Sequence, residues 1–282
     1  MMPENKQHLA LAQKLATEFG HFEEVKAIAL GGSVASGAAG PGSDIDLYVF
    51  TTAPVALPKR IELVGKSGFT RADLGLEFWD PGDEWMDAAT GIEVDVIYWD
   101  TAWIEDQLAR VVQRHQASMG YTTCFWNTLQ KALPLYDPQG WFGAIQQSTQ
   151  VPYPEELRLN IIRANHAVLR RVIPSYAHQI EKAQSRGDLV SINHRVAALL
   201  ASYFDVLFAL NRVLHPGEKR LLAFTEQNCA LLPTSFSTDV TELLHAAGST
   251  EPAVVQCTQR LLDHLDELLL SEGFDPETSA LK

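Results

Sequence analysis

Apolar and polar positions change period several times along the first half of the chain. Residues 4–19 carry Leu9, Ala12, Leu15, Ala16 and Phe19 at helical spacing, with Gly20 as a stop. Residues 25–30 are almost continuously apolar, which predicts a short buried strand ending at Gly31-Gly32-Ser33. A small-residue turn follows. Residues 44–50 then alternate strictly, the period of a strand with one buried face. The pattern continues with a proline-bearing loop over 51–58 and strands over 74–79 and 92–99. Between those strands lies the turn-rich Asp80-Pro81-Gly82-Asp83 and a loop ending at Gly91. From Asp100 the period becomes helical, over 101–119 up to Gly120 and over 122–133 up to Pro134.

Beyond Pro152 the pattern predicts helices only. The first opens at Pro154 and carries Leu157, Ile161, Ile162 and Val168 towards Pro174. A second runs to the Ser185-Arg186-Gly187-Asp188 turn. Residues 189–214 are apolar on more than one face, which marks the central helix of a bundle, stopped by His215-Pro216-Gly217. Two further helices are expected, the last starting near Thr250. The chain thus reads as α+β: a mixed sheet with helices over residues 1–148, then an all-helical bundle over 149–282.

Composition narrows the function. The 282 residues hold 22 Lys+Arg against 35 Asp+Glu, a formal charge of −13. That balance argues against gripping a nucleic acid backbone, which needs a basic face. The three cysteines, Cys124, Cys229 and Cys257, are far apart and lack any CxxC pair, so neither a disulfide framework nor a thiolate zinc site is expected. They are read as core residues. The N-terminus lacks a signal-peptide pattern and no apolar run approaches a membrane span. A cytoplasmic protein with no membrane partner is expected.

The chemistry lies in Gly31-Gly32-Ser33, ten intervening residues, and Asp44-Ile45-Asp46. Residues two apart on a strand share a face, roughly 6–7 Å apart, so Asp44 and Asp46 point together while Ile45 and Leu47 point inward. Two such carboxylates repel unless a cation lies between them. Hard oxygen donors select magnesium or manganese, and magnesium commonly takes substrate phosphate as well. A Gly-Gly-Ser turn opening a helix offers backbone N–H groups to phosphate. Downstream, Glu93 and Asp95 share one face of the 92–99 strand. Asp95, flanked by Val94 and Val96, lies in the apolar middle where an uncompensated carboxylate is costly. It is therefore the expected third acid, as metal ligand, as base towards an acceptor hydroxyl, or as both. Glu93 is left to the acceptor or to a wet rim.

These residues resemble the DNA polymerase β-like nucleotidyltransferase superfamily, whose motif is Gly-[Gly/Ser], about ten residues, an Asp-x-[Asp/Glu] strand and a later carboxylate strand. Within it the chain is most similar to small bacterial antibiotic nucleotidyltransferases, of aminoglycosides and lincosamides, which carry a C-terminal helical domain. The match covers residues 27–50 and, more loosely, 92–98. Asn211 and Pro216-Gly217-Glu218-Lys219-Arg220 resemble a segment of uncharacterised bacterial members. The resemblance implies a polymerase β-like sheet and transfer of a nucleoside monophosphate from an NTP, with ATP the expected nucleotide, to a hydroxyl of a small molecule. Pyrophosphate leaves. Gly31, Gly32, Ser33 and Lys219 would hold the nucleotide. Asp44, Asp46 and Asp95 would be catalytic and hold two Mg²⁺ ions, with Mn²⁺ as a substitute.

Other readings stand beside this one. A protein or RNA acceptor, an inactive nucleotide-binding module, and a manganese-dependent Asp-x-Asp glycosyltransferase each fit part of the pattern. Lys219 and Arg220 serve equally as triphosphate contacts or as a surface pair at a helix start. Arg163 and Arg195 are cleft cations or ordinary snorkelling side chains. Trp79, Trp85, Trp99 and Trp103 stack on an acceptor or fill a core. Glu77, Asp80, Asp83, Glu84 and Asp87 read as a solvated acidic loop or as a cationic-acceptor site. His166, His194 and His215 have no ligand spacing and no assigned role, and the oligomeric state is left open.

Overall fold

The computed structural model describes residues 3–35, 37, 40, 42–78 and 80–275. They form two compact units: the chain up to Ala109 with Thr128–Val151, and Arg110–Asn127 with the chain from Pro152 on. The fold is the expected one, a mixed sheet with helices followed by a helical region. In order, the first part holds α1 (Pro3–Phe19), β1 (Val25–Leu30), the one-turn α2 (Gly32–Ala35), β2 (Ile45–Thr51) and α3 (Leu57–Ser67). Next come β3 (Phe69–Leu76), β4 (Gly82–Asp87), β5 (Glu93–Asp100), α4 (Thr101–Val112), α5 (Cys124–Lys131), β6 (Leu133–Tyr136) and α6 (Trp141–Ser148).

The six strands run in the order β3-β4-β5-β2-β1-β6, and only β2 and β5 pair parallel. One face is apolar. Ile28, Leu30, Ile45, Leu47, Val49, Trp85, Val94, Val96 and Tyr98 pack there with Leu11, Leu15 and Phe19 of α1 and Val64 of α3. Each fully buried aliphatic side chain contributes about 1.5–3 kcal/mol. A one-residue slip of β2 would expose all three of its apolar side chains, so the register is firmly set. The opposite face carries Asp46, Tyr48 and Phe50 of β2. Its far half is filled by aromatic packing: Tyr48 stacks on Trp99 at 4.5 Å, and Phe50 meets Phe142 of α6 at 5.0 Å.

The structure departs from the sequence pattern in several places. Residues 82–87 are not a solvated loop but strand β4, because its inward acids are neutralised. Asp83, with no exposure, accepts from Arg60 Nη1 at 3.0 Å, Tyr98 Oη at 2.7 Å and the Gly75 N–H at 2.8 Å. Asp87 accepts from the Thr90 N–H and hydroxyl. Helix α3 begins within the expected loop, with Pro58 in its first turn where no N–H is needed. Strand β3 begins at Phe69 instead of residue 74. It is a bulged, polar edge strand with an Arg71–Asp73 pair, features that blunt edge pairing and hide the strand period. The short edge strand β6 accommodates Pro134.

In the second unit, α7 (Glu155–His166) runs into a π-helical turn (Ala167–Arg171) instead of continuing to Pro174, and α8 (Tyr176–Ser185) and α9 (Leu189–Asn211) follow. Three helices come next where two were expected: α10 (Leu221–Asn228), α11 (Phe236–Ala246) and α12 (Ala253–Ser271). The extra one is only two turns long, too short to show a clear period. Buried polar groups tie the unit together. Asp205 of α9 accepts from the Thr122 N–H at 3.1 Å and hydroxyl at 2.5 Å, while Asn165 of α7 accepts from the Gly120 N–H at 2.9 Å. Among the described residues no helix is long and apolar enough to cross a membrane.

Burial pushes the Asp205 carboxyl up from an ordinary 3.8 to about 7 and draws His215 down from 6.5 to about 4. Between pH 4 and 7 the folded chain therefore keeps a proton on Asp205 that the unfolded chain releases. This contribution to stability is full below pH 4 and lost as pH rises through 7. His215 acts oppositely, its contribution being lost as pH falls from 6.5 to 4. Urea melts of the wild type and Asp205→Asn separate the two. The wild-type advantage over the variant should shrink steadily from pH 4 to 7; a constant difference would contradict the assignment.

Candidate active site

The open half of the polar sheet face is built by three neighbouring strands. β2 and β5 pair in parallel with Asp46 opposite Asp95, and β4 pairs antiparallel with β5 so that Glu84 is opposite Asp95. Directly opposed residues share a face. Glu84, Asp95 and Asp46 thus form one row across β4, β5 and β2. Asp44, one position before β2, and Glu93, at the start of β5, lie one step along on the same face. Beyond Glu84, Asp73 of β3 extends the row but is paired with Arg71.

The electrostatics follow from this crowding. Asp95 is pushed up from 3.8 to about 6, first by burial and then by the charges of Glu84, Asp46, Asp44 and Glu93. Among the described residues, Asp44, Glu84, Glu93 and Asp95 form no ion pair with Lys, Arg or His. Glu93 is exposed and Asp95 half-buried.

The glycine turn is shaped by β2. The Gly31 N–H donates to the Asp46 carbonyl at 2.8 Å, placing the end of β1 beside the acids. A Cβ on Gly31 would overlap the Tyr48 ring, and one on Gly32 would overlap the Asp46 carboxylate. Gly32 also has φ +61°, a left-handed conformation that L side chains seldom adopt. Each glycine is therefore required by a side chain two residues apart on one strand face. The link back to β2 is closed by Ser43, whose Oγ lies 3.2 Å from the Ser33 Oγ and accepts from the Gly40 N–H, while its carbonyl meets His8 Nε2 at 3.0 Å.

Gly31, Gly32, Ser33, Asp44, Asp46 and Asp95 thus come together in the first unit. Lys219 belongs to the second unit, exposed on the segment leading into α10, as is Arg220. Arg163 is exposed and Arg195 half-buried. Trp85 is core, on the sheet face opposite the acids; Trp99 is buried against Tyr48, Trp103 is part-exposed, and Trp79 lies outside the described residues. His166 pairs with Asp266 at 2.6 Å. All three cysteines are free thiols, Cys229 buried and the others half-buried.

Sequence reasoning missed Ser43 as part of this site, and it placed Glu84 only within the acidic 77–87 group, as a solvated loop or a cationic-acceptor site. The alternation of buried Asp83, Trp85 and Asp87 with outward Glu84 was a readable signal only once acids were admitted to a core. Among the described residues no group of three or more His, Cys, Asp or Glu side chains is placed to hold a metal ion by itself. An open donor set is what magnesium uses, with one or two carboxylates plus waters and substrate phosphate. Five oxygen-donor side chains on one face, four of them without an ion pair among the described residues, are of the chemistry that completes the shell of such an ion together with water and phosphate.

Residues 12–116 match the nucleotidyltransferase domain family, and residues 126–221 match a domain of unknown function, DUF4037. No curated protein matches the chain. A nucleotidyltransferase-like protein from Exiguobacterium sibiricum 255-15 is 12% identical, over 94% of this chain and 75% of that one, with a TM-score of 0.44. Over residues 12–116 the chain is therefore similar to the nucleotidyltransferase domain, a likeness that supports nucleotidyl transfer as its general activity.

Proposed function

We propose that the protein transfers a nucleoside monophosphate from an NTP, ATP being the expected one, to a hydroxyl of a small molecule, releasing pyrophosphate. The observation that carries this reading is the row of Asp46 and Asp95 on adjacent parallel strands, with the Gly31-Gly32-Ser33 turn hydrogen-bonded to Asp46. The antibiotic transferases are the suggested functional relatives.

Asp44, Asp46 and Asp95 would hold divalent metal, Mg²⁺ or Mn²⁺. Bound there, metal neutralises charge on the phosphates and acidifies the attacking oxygen. The remaining work belongs to the chain. The turn offers the Gly32 and Ser33 backbone N–H groups to the phosphates, while Gly31, whose own N–H is taken by the Asp46 carbonyl, sets its shape. The rigid sheet fixes the direction of attack, and catalysis of this kind is mostly positioning and electrostatics. A net charge of −13 and an acidic site face favour a small neutral or cationic acceptor over an RNA end.

Two outcomes test the site. Asp44→Ala or Asp46→Ala should abolish transfer, at least 100-fold, and weaken magnesium-dependent NTP binding in calorimetry. Thermal melting of the metal-free protein should hold or rise slightly, because a repelling charge is gone; near-normal turnover would sink the proposal. Gly32→Ala should fail differently. Its Cβ displaces the Asp46 carboxylate and its left-handed backbone is strained by about 1–2 kcal/mol, so both the melting point and NTP affinity should fall together.

A further inference from the structure

In the second unit, the segment just before α5 is clamped at alternate residues. The Asn165 side chain donates to the Ser118 carbonyl at 2.8 Å and accepts from the Gly120 N–H at 2.9 Å. Asp205 accepts from the Thr122 N–H and hydroxyl. A Cβ on Gly120 would meet Ala201 of α9 at 2.9 Å, so the chain lies close against that helix. The residues between, Met119 and Tyr121, are the exposed ones. Tyr121 has φ +56°, a left-handed conformation that is an outlier for a bulky side chain.

The chain after α9 supplies the surroundings of Tyr121. The His215 N–H donates to Thr123 Oγ1 at 2.8 Å, and the His215 ring centre lies 4.7 Å from that of Tyr121. The Gly217 N–H donates to His215 Nδ1 at 3.2 Å, which folds the chain back onto that ring, and Glu218 follows. Burial draws His215 down to about 4, so the ring beside Tyr121 is uncharged at neutral pH. The Tyr121 phenol is raised first by burial and then by Glu218, Cys124 and Asp205, all of them acids. Lys219 and Arg220 are not among the groups that act on it. Glu218 is exposed and makes no ion pair among the described residues.

We propose that Met119, Tyr121 and Glu218 form a ligand site of the second unit's own, for a small organic cation: an ammonium carried on a flat ring. All three residues lie within that unit, and the site stands whether or not the chain transfers nucleotides. The face of a tyrosine ring attracts a cation through its quadrupole. A methionine thioether packs favourably against a flat ring, and the Glu218 carboxylate supplies the opposite charge. The clamped segment presents Met119 and Tyr121 already ordered, so little ordering is left for binding to impose. An anion of the same shape is repelled by Glu218.

The test titrates the full chain at neutral pH with tryptamine, an indole bearing an ammonium, and follows the ligand by NMR. The wild type should bind it saturably. Glu218→Gln and Tyr121→Ala should each weaken binding about three- to fivefold, the range of one exposed cation contact. Tyr121→Phe, which keeps the ring face, should stay within about twofold of the wild type. The melting points of Glu218→Gln and Tyr121→Phe should match the wild type, so a loss of binding by Glu218→Gln is a lost contact and not a lost fold. Indoleacetate, the same ring with the opposite charge, and ethylamine, the ammonium without the ring, should both bind more weakly than tryptamine. No saturable binding of tryptamine by the wild type would overturn the site. So would undiminished binding by Glu218→Gln, or indoleacetate binding as tightly as tryptamine.

Discussion

Like-charge repulsion on one half of one sheet face is the constraint around which the first unit is arranged. Asp44, Asp46, Glu84, Glu93 and Asp95 lie on or beside three adjacent strands, and Asp95, raised first by burial and then by these neighbouring charges, is pushed up to about 6. Such a face is tolerable only because the other side of the same strands is densely apolar and sets the register. The cost of the acids is offset by a core that does not depend on them. Aromatic packing of Phe50 and Trp99 closes the remaining half of the face, so the acids open to solvent over a limited area.

The two faces of β4 show the same chemistry resolved in opposite ways. Asp83 is buried and fully compensated by a guanidinium, a phenol and a backbone N–H; Glu84, its neighbour, is exposed and uncompensated. One acid holds the strand and the other faces solvent. Gly31 and Gly32 follow a similar division. Tyr48 excludes a side chain from the first and Asp46 from the second, so the turn's emptiness is dictated by β2. In the second unit, Asp205 and Asn165 show that buried polar groups there are spent on joining helices to the 118–123 segment.

Much of this was legible in the sequence. The strict alternation over residues 44–50 gave β2, its inward set and the shared direction of Asp44 and Asp46. Val94 and Val96 around Asp95 marked the middle of β5, and the structure puts Asp95 opposite Asp46. What stayed hidden had physical reasons. Strand β4 buries Asp83 and Asp87, so an alternation of acid, acid, Trp and Met carried no hydrophobic period. Strand β3 is a polar edge with bulges, and β6 contains a proline. The place of Glu84 in the row of acids depends on register between strands, which no single segment encodes. The π-helical turn after α7 left no mark in the apolar spacing, since Val168 and Leu169 suit an α-helix equally well.

Position-specific labelling of the nucleotide tests the central claim most directly. The full chain is incubated with Mg²⁺ and ATP labelled either at the α- or at the γ-phosphorus, with cell-extract small molecules as acceptors. Transfer of a nucleoside monophosphate requires α-label on a small molecule and γ-label in pyrophosphate. Appearance of γ-label on the acceptor, with ADP as the co-product, would contradict the account outright.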